Sequence, residues 1–219
     1  MGSEQYDDER PVHKVNLKRY WIAKVPVTNA QYHIFVEARQ HEPPAHWENG
    51  KVLRGLESHP VVKVTWHDAR AYCRWLSEVT GKSISLPSEA EWEKAARGAM
   101  DKREYPWEYT WKEGYCNSSE LGVESTTPVG IFPEGASLYE CLDTVGNVWE
   151  WTRSIEQDYP YQVDDGRENL EAGNEVARVL RGGAFDLDRY LARCAFRNWY
   201  YPYYRLGDWG FRVVVSPRA

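Results

Sequence analysis

Apolar residues recur at helical spacing in three stretches of this chain and alternate in several shorter ones. Val27-Thr28-Asn29 opens the first predicted helix, with Tyr32, Phe35 and Val36 on a common face. Thr65 can cap a second, in which Ala69, Tyr72, Cys73 and Leu76 repeat before Gly81. Ser88-Glu89-Ala90-Glu91 reads as a capping box: the serine oxygen accepts a free N–H at the helix start and the glutamate reaches back. Trp92, Ala95 and Ala96 follow on its buried face, and Gly98 stops it. Strand-like patterns fall at residues 12–17, 20–22, 61–64, 176–181 and 211–215. Between Gly98 and Gly146 there is little periodicity, and loops of that length are functional or held by aromatic plugs and ions. With no internal repeat and no evident linker, residues 1–219 read as one α+β domain rich in irregular structure.

Charge and composition narrow the classes of function. A chain of 219 residues can bury a real core, and a net charge of −6 argues against general binding to nucleic acid or anionic membrane. No apolar run is long enough to span a bilayer, and Met1-Gly2-Ser3-Glu4 is no signal peptide, so a soluble, unsecreted product without membrane insertion is expected. It would be cytoplasmic, or displayed on a virion or cell surface through another component. Cys73, Cys116, Cys141 and Cys194 are far apart and form no CxxC pair. Two readings stay open for them, free buried thiols or one bridge between Cys116 and Cys141. The six histidines make no metal-binding constellation.

Residues 181–212 are the densest signal. Five of the fifteen tyrosines lie there: Tyr190, Tyr200, Tyr201, Tyr203 and Tyr204. Tyrosine offers a large flat face and a polar tip at low entropic cost, which suits a recognition surface better than a catalytic cleft.

Five ordered blocks carry a family resemblance. They are residues 26–32 (PVTNAQY), 86–93 (LPSEAEWE), 146–152 (GNVWEWT), 179–183 (VLRGG) and 210–213 (GFRV). Their order and spacing resemble the sulfatase-modifying-factor family, which contains the formylglycine-generating enzymes. The resemblance implies a C-type-lectin-like fold with helices and long loops. Those enzymes bind copper through a cysteine pair shortly after the Gly-Gly segment. Here residues 183–191 hold no cysteine, and Cys194 aligns with a structural stretch. A thiolate is the soft ligand that such chemistry needs, so no redox cofactor and no catalytic residue is expected. Relatives that build sulfoxides use an iron-binding helical domain, which this sequence does not contain.

Another branch of the fold comprises the variable proteins of diversity-generating retroelements, in which template adenines are randomised at the 3′ end of the gene. Randomised Asn codons yield Tyr, Asp, Leu or Gly, and never Trp, Lys, Glu, Gln or Met. Asp186, Leu187, Asp188, Tyr190, Leu191, Tyr200, Tyr201, Tyr203, Tyr204, Leu206, Gly207 and Asp208 are all reachable in this way. Fixed-looking residues separate them in short runs. The segment thus resembles a diversified face for a macromolecular ligand, with a protein favoured over sugar. An accessory domain with an undiversified aromatic surface is the alternative, and a metal-dependent oxidase is a third.

Gly182, Gly183 and Gly210 suit tight backbone approach, and Arg193, Arg197 and Arg212 suit loop carbonyls or a pairing with Glu150. Trp149, Trp151, Trp199 and Trp209 are expected to plug the core. The resemblance also implies a structural Ca²⁺ on Asp143, the carbonyls of Gly146 and Val148, and Glu150. The other reading of that segment is a turn in which Glu150 pairs with an arginine.

Overall fold

The computed structural model describes residues 1–99 and 102–217. Its three helices begin where a side chain can satisfy the free N–H groups of the first turn. Thr28 accepts from the Gln31 N–H and the Gln31 side chain accepts from Thr28, so α1 spans Asn29–Arg39. Thr65 and Asp68 form the same reciprocal pair before α2, Trp66–Thr80, which ends at Gly81 with φ 67°. Ser88 and Glu91 do so before α3, Glu89–Arg97. Each such cap contributes about 1 kcal/mol.

Among the described residues, seven short strands make two sheets. Strands β1 (Trp21–Ile22), β2 (Ser83–Ser85) and β7 (Val214–Ser216) form an antiparallel sheet in the order β1-β7-β2. The second sheet holds β3 (Trp149–Ile155), β4 (Arg178–Arg181), β5 (Arg197–Tyr200) and β6 (Trp209–Gly210), in the order β5-β4-β3-β6. Within it only β6 runs parallel to its neighbour, with Glu150 opposite Gly210. The main core lies between this sheet and helices α1 and α2, where Tyr32, Phe35, Trp66, Trp151, Leu180 and Phe211 are buried together. These features make the α+β, C-type-lectin-like fold of the formylglycine-generating-enzyme type. No helix among the described residues is long and apolar enough to cross a membrane.

Two expected strands are absent. Residues 12–17 alternate because Val15 and Leu17 pack on the cluster around Ala90, Tyr159 and Tyr161, without a strand partner. Residues 61–64 stay outside the sheets: Val61 pairs through one bond to the Val27 carbonyl, and Lys63 turns to φ 56°. Four strands were not anticipated: β2, β3, β5 and β6. β3 is buried on both faces, so the alternation of Trp149, Glu150, Trp151 and Thr152 does not mark a solvent side. Between 98 and 146 the described residues contain only two 3-10 turns, at Ser119–Leu121 and Pro133–Gly135.

Candidate functional site

The floor of the site is a buried ionic lattice beneath β4 and β5. Arg181 donates to Glu93 at 2.7 Å and Glu89 at 3.1 Å, and also to the Cys194 and Ala195 carbonyls. Arg197 reaches Glu89 at 2.8 Å, Arg97 reaches Glu93 at 2.7 Å, and Arg193 reaches Glu9 at 2.6 Å. Burial alone would raise the Glu93 carboxyl, but Arg181 and Arg97 hold it down to about 2. Paired charges with carbonyl partners are the form in which guanidinium groups can be buried at all. Gly182 bends this floor at φ 101°, where a Cβ would press on the Thr144 carbonyl and the Trp92 ring at 3.1 Å.

Above the floor, the chain alternates between buried anchors and outward side chains. Of the twelve expected ligand-facing residues, nine are exposed: Asp186, Asp188, Tyr190, Tyr200, Tyr201, Tyr203, Tyr204, Leu206 and Gly207. Leu187, Leu191 and Asp208 are half-buried, and none is fully buried. Among the residues that flank and separate them, Ala184, Ala192, Arg193, Ala195, Arg197, Pro202 and Trp209 are buried, while Arg189, Trp199 and Arg205 are exposed. Main-chain bonds fasten the loops. Trp66 N–H donates to the Pro202 carbonyl at 3.2 Å, Lys63 N–H to Leu206 at 3.0 Å and Trp149 N–H to Asp208 at 2.8 Å. Ser119 N–H likewise donates to Leu187 at 3.0 Å. Such bonds are made whatever side chain the loop residue carries.

Four tyrosines form one aromatic cluster. The Tyr201 and Tyr203 rings stack at 5.9 Å, Tyr200 meets Tyr204 edge-on at 4.6 Å, and Tyr200 leans on Trp209 at 5.1 Å. An open groove of about 600 Å³ runs beside them, lined by Trp199, Tyr200, Tyr201, Tyr204, Glu156 and Glu175. Burial, with the nearby charge of Asp186, raises Asp208 to about 6. Tyr190 makes no ring contact with the cluster among the described residues; its neighbour Arg189 covers its ring at 5.6 Å.

Trp199 was expected in the core and is instead 38 % exposed, because β5 is an edge strand and its side chain faces the groove. Trp149, Trp151 and Trp209 are buried. The carboxylates of Glu156 and Glu175 carried no local signal. They reach the groove only because β3 and the chain before β4 end beside β5.

The segment expected to hold calcium is built around Arg212. Its guanidinium donates to both Glu150 oxygens at 2.6 and 2.7 Å, and to the Leu142 and Asp143 carbonyls at 2.9 and 3.1 Å. Trp92 adds an N–H to Glu150 at 2.8 Å. The Asp143 carboxylate accepts from Gly130 at 2.6 Å and is raised to about 6 by burial, while the Gly146 carbonyl accepts from Val148 N–H. This is the arginine-paired turn. A calcium ion on Asp143, Gly146, Val148 and Glu150 would have to displace a guanidinium from both Glu150 oxygens, so these residues as arranged do not fit the ion. All four cysteines are free and buried. Cys194 packs against Trp92 and Ala96, and burial pushes its thiol up to about 12, far from a reactive thiolate.

The comparisons with known proteins follow the same lines. The family described as sulfatase-modifying factor enzyme 1-like domain matches residues 1–217. A formylglycine-generating enzyme of Streptomyces coelicolor is 34% identical over 95% of this chain and 82% of its own length. A hercynine oxygenase of Mycobacterium tuberculosis is 32% identical over 95% of this chain, which spans only 55% of that protein. Among solved structures, PvdO from Pseudomonas aeruginosa superposes with TM-score 0.82 at 25% identity, covering 99% of this chain and 90% of that one. Treponema denticola variable protein 1 superposes with TM-score 0.81 at 24% identity, covering 99% and 91%. The structural neighbours share the fold, and the family match together with the Streptomyces relative shows that this chain belongs to the sulfatase-modifying factor enzyme 1-like family.

Proposed function

We propose that this chain is a non-catalytic ligand-binding protein whose residues 186–208 form a diversified face, the variable protein of a diversity-generating retroelement. One observation carries the reading. Nine of the twelve adenine-reachable positions are exposed and none is fully buried, though Arg189, Trp199 and Arg205 between them are exposed too, while the loops are held through main-chain atoms and buried arginines. Side chains at the exposed positions can change at little cost to the fold, which is what diversification requires. The fold is compatible, since a protein named as variable adopts it too.

The ligand is a macromolecule, and a protein suits the surface better than a sugar. Stacked tyrosines around an open groove present rigid amphipathic area, and Asp186, Asp188 and Asp208 add directional acceptors. The enzymatic relatives keep an oxidase reading in view. Against it stands Cys194, the nearest thiol in sequence to the Gly-Gly turn, sealed in the core with its proton held.

The test is to sequence the DNA encoding residues 181–212 and the region downstream. The expected result is a near-copy carrying AAC or AAT at the twelve codons, beside a reverse-transcriptase gene. Identical codons across many isolates, with no such copy, would sink the proposal.

A further inference from the structure

A second surface carries chemistry that the tyrosine face does not use. Trp21 lies on β1, at the edge of the three-stranded sheet, and is 51 % exposed. It stands between two open grooves of about 610 and 560 Å³. One runs past Gly81, Lys82, Ser83 and Val215, and the other past Leu17, Lys18, Ile22, Ala95 and Tyr139. The charged side chains lining them are Lys18, Arg19, Lys82 and Lys94, with no carboxylate among them. None of the four is ion-paired among the described residues; Arg19 lies over the Trp21 ring at 4.9 Å and Lys94 over Tyr20 at 5.7 Å. The sequence shows the same segregation. Residues 10–36 contain Arg10, Lys14, Lys18, Arg19 and Lys24 and no Asp or Glu, in a chain of net charge −6.

We propose that this face docks an acidic protein segment bearing large apolar side chains. Its carboxylates meet Lys18, Arg19, Lys82 and Lys94, an apolar side chain packs on Trp21, and its main chain lies along the outer edge of β1. Adding a strand to an exposed sheet edge gives affinity through main-chain bonds and specificity through flanking pockets. Charge complementarity selects the occupant. A nucleic-acid backbone is the less suited occupant, because the chain carries a net charge of −6 and its four cations here offer few phosphate contacts.

Fluorescence anisotropy on the whole chain tests this with a labelled short peptide of alternating Glu and Leu, and a Lys-for-Glu control. The acidic peptide should bind and the control should not, with affinity falling as salt rises. Lys18→Glu combined with Arg19→Glu, and separately Trp21→Ala, should each weaken binding by about tenfold or more, on the scale of lost cation–aromatic and charge contacts. A variant with Tyr200, Tyr201, Tyr203 and Tyr204 changed to Ala should bind the peptide unchanged, which separates this surface from the tyrosine face. Thermal melts check that each variant folds. The proposal is overturned if the acidic peptide does not bind, if the variants bind it as the parent does, or if phosphatidylglycerol vesicles or single-stranded DNA bind in its place.

Discussion

Two kinds of residue in the 181–212 segment have opposite thermodynamic roles. Tyr200, Tyr201, Tyr203 and Tyr204 are 40 %, 44 %, 50 % and 41 % exposed, and their ring contacts are mainly with one another. Changing all four to Ala should therefore cost under about 2 kcal/mol in a denaturant titration while abolishing ligand binding. A collapse of the melting transition would instead make them core residues. Arg212 is the converse case, fully buried and bonded to Glu150 through two nitrogens. Arg212→Met strands the Glu150 charge and should lose about 3–5 kcal/mol, measured by urea unfolding. The same pair predicts the response to calcium: millimolar Ca²⁺ should leave the melting temperature of the parent chain unmoved. A rise that disappears in Glu150→Gln would restore an ion at that turn.

At the level of elements, the helices are local constructions and the strands are not. Ser88 and Glu91 cap α3 within four residues, and α3 supplies Glu89 and Glu93 to the arginine lattice. Ser88→Ala should cost about 1 kcal/mol through the cap alone, read as a lower urea midpoint at unchanged slope. A larger loss would show that the cap also holds Glu89 and Glu93 in register with Arg181. The strands depend on remote partners: β3 pairs with β4 and β6, whose residues follow it by about thirty and sixty positions. That is why Trp149–Ile155 looked like a motif before it looked like a strand. It is also why 12–17 alternates without being one.

For the molecule as a whole, the buried lattice sets the response to acid. The Glu93 carboxyl titrates near 2 in the fold against an ordinary value of 4.5, despite burial, because Arg181 and Arg97 favour its ionised form. Its stabilising contribution is complete above pH 4.5 and is lost as pH falls towards 2. Asp143 acts with the opposite sign. Burial raises it to about 6 from 3.8, so the fold favours its protonated form and loses stability as pH rises between those values. Urea midpoints should therefore fall below pH 4.5, and a flat profile there would mean that the lattice is not ionised. The sequence alone determined the three helix starts, the irregular middle, the family and nine exposed positions of the C-terminal segment. Each of these rests on spacing between near neighbours or on residue types that only one environment tolerates. Only the tertiary structure decided that Arg212 serves Glu150, that Trp199 faces a groove, and that Glu156 and Glu175 border it. These depend on which distant segments meet, and a charged or aromatic side chain looks the same in sequence whichever partner the fold brings to it.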